Sequence, residues 1–585
     1  MMLRKAYLLG TAAAFVAGSM SVIAGAQTVD TVYGNGASLP APYFRQAADC
    51  YSVKTDLIFD GNPPVLQTAP DFNYTGTPAQ DCATTDYIAN DRLVYKSTGS
   101  GVGIAAFFSH DPVRAGDIDP ADGVQLFPTI NYALSETSLG TNDVAAYNNG
   151  GTVQGVTVVA PGVTPGTGQY RNPREAYGAM VQFPLLIAPV TIAYDPVYKK
   201  IRNGDGSISE YSLNLRYPRA DGSGGLRLSQ AAVCAIFNGD IVNWGDSRLR
   251  ALNGNRSFVD LSDPGSFTVP LQIVGREDSS GTTSLWTRFL ANACASYTGN
   301  AYADSTSRLP GVYVDSTGAT RTTSSPKDLV GAVWNKSSNN AGAGRVFYAG
   351  NDAEVAGKYT LANGNDGVAK YIDFTAEPGA TAGNLVRQGR IGYVGPDFVL
   401  PGVLYTQANN YNLQTADVQN VAGAYRAPTA TALRSSFGSI LPPESDANGN
   451  YVPNTACLSG DVSASCRNQP QDWVQAASKT APLANPTGSL SYPIVGTSNI
   501  LLYSCYASDA ARTPLVGFLS FYFKSATINN TSLGLLASSG FQPITTPWRK
   551  AITDSFVTST DPNGTQLTIA RRGARAWCPS TVIGG

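Results

Sequence analysis

The chain has 585 residues, 43% of them hydrophobic, and a formal net charge of -2 at pH 7. That length calls for two or more domains, with enough apolar sequence for a large core. The near-neutral balance excludes the basic face that a nucleic-acid partner needs and the polybasic run that holds a protein on an anionic membrane, so any anion site must be built locally.

At the N-terminus Arg4 and Lys5 precede an apolar, small-residue stretch from Ala6 to Ile23, and Ala24-Gly25-Ala26 follows. This reads as a secretory signal peptide removed after Ala26. The apolar part is short and broken by Gly and Ser, which disfavours a retained anchor. No later stretch is long and apolar enough to span a bilayer, so a soluble, exported chain is expected, periplasmic or secreted. Eight cysteines, at 50, 82, 234, 294, 457, 466, 505 and 578, include no C-x-x-C pair. They fit disulfides in an oxidising compartment better than zinc. The single histidine, His110, rules out a His-rich metal site; it reads as a plain capping or surface residue at a helix end. No cofactor is expected.

In chain order, "YGNGASLPAPYFRQAA" (33–48) sets Ser38 before a Pro-initiated helix, and "YKSTGSGVGIAAFF" (95–108) sets Ser100 in a Gly-rich turn before another. The Gly/Pro/Thr-rich segment 148–169 reads as a connector with one strand-like run. "VQFPLLIAPVTIAYD" (181–195) is a β-rich run broken by Pro, and "LSQAAVCAIFNGDIVNWGD" (228–246) is a helix stopped by Asn-Gly. "VPLQIVGRED" (269–278) is a strand of alternating character, and "GRIGYVGPDFVL" (389–400) is a strand closed by Gly-Pro. Segments 305–328 and 441–471 read as surface loops or hairpins. Strands alternating with helices imply an α/β architecture.

The stretch "GREDSSGTTSLW" (275–286) follows a strand, and Leu285, Trp286, Phe289 and Leu290 then fall on one helical face. Ser279 to Thr283 therefore stand at a helix N-terminus, where backbone N–H groups lack partners and the dipole is positive. Small residues let an anion approach, Ser and Thr add hydroxyl donors, and Arg276 adds a forked cation suited to a tetrahedral oxyanion. The same pattern at Ser38 and Ser100 points to three loops converging on one small oxyanion.

These blocks, in this order, resemble periplasmic phosphate-binding proteins of the PstS type, and most closely the phosphate-binding DING proteins. The resemblance rests on "GNGASLP", "GSGVG", "LSQAAVCAIFNGDIVNWGD", "REDSSGTTSLWTRFLANAC", "GRIGYVGPDF", "YPIVGTSNILLYSCYA" and "FQPITTPWRKAITDSF". It implies a type II periplasmic-binding-protein fold: two α/β lobes, joined by crossover strands, closing on one phosphate. On that basis lobe I is expected from 27–188 and 396–585 and lobe II from 189–395, with crossovers near 183–195 and 389–398. Carried over by motif, the phosphate-binding residues are Ser38, Leu39, Ser100, Arg276, Ser280, Gly281 and Thr282, with Asp278 holding Arg276. Glu136, in "YALSETSLGTNDVAAY" (132–147), takes the place of the family's anion-contacting Asp with one more methylene. The resemblance also implies the disulfides Cys234–Cys294 and Cys505–Cys578; by elimination Cys50 pairs with Cys82 and Cys457 with Cys466. The segment holding Cys50 and Cys82, the 148–169 loop and parts of 301–366 are expected as additions to the family pattern.

The expected function is capture of inorganic phosphate without reaction, for an ABC importer, by a monomer. Two alternatives differ in class. One is an extracellular surface or matrix protein uncoupled from transport. The other is a secreted phosphatase or hydrolase using Ser279 or Ser280, which would need a base that the lone His110 is badly placed to supply. The expectation is therefore a protein that is not an enzyme.

Overall fold

The computed structural model of the chain describes residues 29–52, 88, 90–115, 127–237, 240–241, 243–263, 269–276, 278–294, 312–314, 320–322, 359–400, 411–438, 440–458, 464–474, 483–531, 534–558 and 568–585. The signal-peptide expectation, at 1–26, lies outside them.

The first half of the chain supplies four strands of a six-stranded sheet. Its early units are β1 (Asp30–Gly36), helix α1 (Ala41–Tyr51), β2 (Asp91–Ser97), helix α2 (Ser100–Ser109) and β3 (Tyr132–Ser135). β1 pairs in parallel with β2 and β3, so all three end at the same edge. β4 (Met180–Pro189) is buried along its whole length, as a central strand covered on both faces must be. The chain then passes through Val190 directly into β5 (Thr191–Tyr194), which belongs to another sheet.

That second, five-stranded sheet adds β6 (Gln272–Arg276), helix α3 (Gly281–Ala293), β7 (Tyr359–Ala362), helix α4 (Gly364–Ile372), β8 (Arg390–Val394) and β9 (Gln414–Thr415). Its strand order is β7-β6-β8-β5-β9, with β6 parallel to β7 and β8. The chain returns to the first sheet as β10 (Val495–Tyr503), followed by helix α5 (Asp509–Lys524) and β11 (Gln542–Pro543). The first sheet then reads β2-β1-β3-β10-β4-β11. Pro184 offers no N–H to β10, and the β4–β10 register slips there, with a bulge at Ser498/Asn499.

Several local expectations change. The strand read over 269–278 is Gln272–Arg276, and the helix read over 228–246 is Gln230–Phe237. Within the stretch 389–398, Arg390–Val394 forms β8, which pairs antiparallel with β5 in the second sheet, and Pro396–Phe398 follows as a 3-10 turn. β9 also pairs with β5 in this sheet. An antiparallel strand and a parallel one look alike in sequence; only the pairing separates them. The 148–169 segment carries three short strands, not one, including a hairpin Gly151–Val153/Val156–Val158. Its two turn residues, Gln154 and Gly155, have φ of 49° and 74°, the left-handed pair a two-residue hairpin requires.

Disulfides join Cys234–Cys294, Cys457–Cys466 and Cys505–Cys578. Cys50 is disulfide-bonded too, but its expected partner Cys82 lies outside the described residues. His110 does end α2, in the left-handed region, yet it is no plain surface residue. Its ring stacks on Tyr177 at 4.2 Å, its nitrogens meet the Tyr503 and Thr129 hydroxyls at 3.1 Å, and burial pulls its pKa down to about 4. Among the described residues no helix is long and apolar enough to cross a membrane.

Candidate functional site

Parallel strands that end together deliver their following loops to one edge, where α/β proteins bind ligands. β1, β2 and β3 end in the Ser38 turn, the Gly99-Ser100 turn and Glu136; β6 and β7 end in Arg276 and in the start of α4. Hydrogen bonds across long sequence separations join these loops.

Arg276 is fully buried, and its partners hold it from three sides. Asp278 accepts from Nε at 2.7 Å and Nη2 at 2.5 Å, the two-point geometry of a guanidinium and a carboxylate. Nη2 also donates to Ser38 Oγ at 2.9 Å, and Nη1 reaches Thr282 Oγ1 at 3.4 Å. Burial pushes the Asp278 carboxyl up, but the Arg276 charge and hydrogen bonds outweigh it and hold it below the ordinary range. The backbone N–H of Gly364, at the start of α4, donates to Asp278 at 3.1 Å. Tyr393 on β8 supports from behind: its hydroxyl accepts from the Arg276 N–H at 3.3 Å and meets Thr283 Oγ1 at 2.7 Å.

The opposite side holds a carboxyl group with no cation bonded to it among the described residues. Glu136 is fully buried; Ser100 Oγ donates to it at 2.8 Å and Ser498 Oγ at 3.3 Å. Burial dominates and raises its pKa to about 7, although the two hydroxyls and the charge of Arg276 pull the other way. Gly281 lies between the two sides. A Cβ built there would fall 2.3 Å from both Glu136 Oε2 and Ser100 Oγ, so only glycine lets the start of α3 come this close. Ser280 is the N-cap of α3: its Oγ accepts from the Thr283 N–H at 3.2 Å, which leaves the hydroxyl hydrogen to donate elsewhere.

Of the expected residues, Ser38, Arg276, Asp278 and Thr282 thus share one hydrogen-bonded set. Ser100 and Glu136 share another, and Gly281 touches the second. Leu39 is buried in the turn leading into α1. Three neighbours were not expected. Asn365 on α4 reaches both Ser38 Oγ and Thr282 Oγ1 at 3.4 Å. Ser498 comes from the buried strand β10, and Gln154, at the hairpin tip, accepts from Ser279 Oγ at 3.3 Å. The signal for Asn365 was present as Asn363-Gly364-Asn365 at the start of a helix, a small-polar start like those of the other helices at the site. Ser498 showed only as a polar triplet, Thr497-Ser498-Asn499, inside an apolar strand. Among the described residues no cluster of His, Cys, Asp and Glu could hold a metal ion.

The profile of a PBP superfamily domain matches residues 21–431. Alkaline phosphatase L of Pseudomonas aeruginosa is 24% identical over 480 residues, 82% of this chain and 86% of that protein. A phosphate-binding protein from an unknown prokaryotic organism is 24% identical over 348 residues, 59% of this chain and 70% of its own. Among solved structures, a DING protein superposes with a TM-score of 0.51 at 19% identity, covering 95% of this chain and 99% of its own; that likeness is one of fold, two α/β lobes.

Proposed function

The chain belongs to the PBP superfamily, and from that premise we propose that it captures inorganic phosphate without reacting with it. The observation that carries the reading is the two-sided site. Arg276 and the hydroxyls it holds form a donor side, and Glu136 forms an acceptor side close to the start of α3. A hydrogen phosphate ion presents bare oxygens to the first and a P–OH to the second. In this reading Ser38, Ser280 and Thr282 donate hydroxyls, Ser100 turns to the anion the hydroxyl hydrogen it otherwise gives Glu136, Leu39 and Gly281 donate backbone N–H groups, and Asp278 keeps Arg276 in place. The relative named as a phosphate-binding protein supports the choice of ligand.

Calorimetry on the mature protein with phosphate, sulfate and arsenate tests this. Phosphate and arsenate should bind one to one and sulfate far more weakly; sulfate binding as tight as phosphate would end the reading. Export as a monomer to serve an ABC importer is the physiological setting we infer. Deleting the gene should lower phosphate uptake; unchanged uptake would favour the extracellular, uncoupled role.

The likeness to alkaline phosphatase L favours hydrolysis as a second reading. A serine nucleophile needs a base within hydrogen-bond reach. His110 ends the helix that Ser100 begins, about 15 Å away along its axis, and it is engaged by Tyr503 and Thr129. Turnover of p-nitrophenyl phosphate by the wild type that disappears in Ser280→Ala would replace capture with catalysis.

A further inference from the structure

We propose that Asn365 is a positioning residue that makes Ser38 and Thr282 obligate hydrogen-bond donors to the bound anion. This deepens the phosphate-capture reading and rests on it.

A hydroxyl has one hydrogen and two lone pairs, so it can either donate to a ligand or accept from it. Ser38 Oγ already receives Arg276 Nη2 at 2.9 Å and Asn365 Nδ2 at 3.4 Å. Thr282 Oγ1 receives Arg276 Nη1 at 3.4 Å and Asn365 Nδ2 at 3.4 Å. Each oxygen thereby has both lone pairs engaged, and the two hydrogens of the Asn365 amide are both used in doing so. Each hydroxyl is left with its own hydrogen as the group to offer, and an oxyanion supplies the acceptor. With Arg276 alone, each oxygen would keep a lone pair free and could turn its hydrogen away.

Three further facts fit a role in the site better than one in the helix. Asn365 lies beyond the N-cap of α4, which is Asn363, so it does not cap the helix. It is 2% exposed, and its Oδ1 finds no partner among the described residues, a burial that folding alone does not reward. Gly364, beside it, is tied to Asp278, so the first turn of α4, which carries Asn365, is registered to the same carboxylate that fixes Arg276. The polarity also matches the ligand: bare oxygens meet donors here, and the one protonated oxygen is left for Glu136.

Two double-mutant cycles read this directly, Asn365→Leu with Ser38→Ala and Asn365→Leu with Thr282→Val, followed by phosphate calorimetry. In the otherwise wild-type protein Asn365→Leu should weaken phosphate binding about tenfold, the scale of one to two neutral hydrogen bonds. In either hydroxyl-less background the same change should cost about half that factor or less, because its target is gone. Equal fold-losses in all backgrounds would mean that Asn365 acts by packing, and would overturn the inference while leaving phosphate capture standing. A wild type that takes no phosphate would overturn both. Should Asn365→Leu fail to fold, Asn365→Ala enters the same cycles with the same two outcomes.

Discussion

Two buried ionisable groups lie near the start of α3, and they are treated in opposite ways. Arg276 and Glu136 are both fully buried. Arg276 has a dedicated carboxylate two residues away, Asp278, bonded through two nitrogens. Glu136 is bonded only by hydroxyls, from Ser100 and Ser498, and burial lifts its pKa to about 7. A buried charge with a partner is fixed; one without a bonded partner stays free to gain or lose a proton. In the phosphate-capture reading the pair gives a permanent donor side and an acceptor side that can follow the protonation of the ligand.

Removing the fixed side should have the largest effect. Arg276→Ala strands Asp278 and should weaken phosphate binding by about 2–5 kcal/mol, the range for breaking a buried charged pair; unchanged affinity in calorimetry would place the anion elsewhere. Next comes the titrating side. A carboxyl whose folded pKa lies above its ordinary 4.5 favours the folded state fully below about pH 4.5, and that contribution is lost as pH rises through 7. The ligand-free protein should therefore lose up to about 3 kcal/mol over that window through Glu136. Thermal melts of wild type and Glu136→Gln at pH 5 and pH 7.5 check this: the variant should gain on the wild type as pH rises. Asp195, also raised to about 7 by burial, is common to both proteins and drops out of the difference.

In the phosphate-capture reading the same titration governs selectivity. A protonated Glu136 can donate to a bare oxyanion; an ionised one can only accept. Sulfate affinity should fall as pH rises through about 7, while phosphate, which carries its own proton, keeps its place. A phosphate-to-sulfate ratio that is flat from pH 5 to 8 would remove Glu136 from the site. Closer to the boundary between the sides, Gly281→Ala would drive a methyl group against Glu136 Oε2 and Ser100 Oγ. Overpacking of this kind costs about 1–3 kcal/mol, and phosphate affinity should register it; normal affinity would mean that α3 can retreat without loss. The smallest expected effect is at the hairpin tip. Gln154→Ala removes the single 3.3 Å bond to Ser279 and should weaken binding by at most about 1 kcal/mol, visible in competition calorimetry.

The sequence by itself determined the local grammar of the site. Ser38, Ser100 and Ser280 could be read as helix-start residues, and Arg276 with Asp278 as a pair, because those relations span only a few residues and depend on spacing and propensity. It also determined the α/β alternation and the likeness to phosphate-binding proteins. Three disulfides agree with the pairs drawn from it. What only the tertiary structure decided is which loops meet and how deeply they are buried. Arg276 reaches Ser38 across 238 residues, Asn365 reaches Ser38 across 327, and Ser498 reaches Glu136 across 362. Sheet order makes those contacts, and β8 reads the same from sequence whether it crosses between the sheets or pairs with β5. The protonation of Glu136 belongs to the same class: a carboxyl in isolation reads as ionised, and only the packing around it sets the desolvation that raises it to about 7.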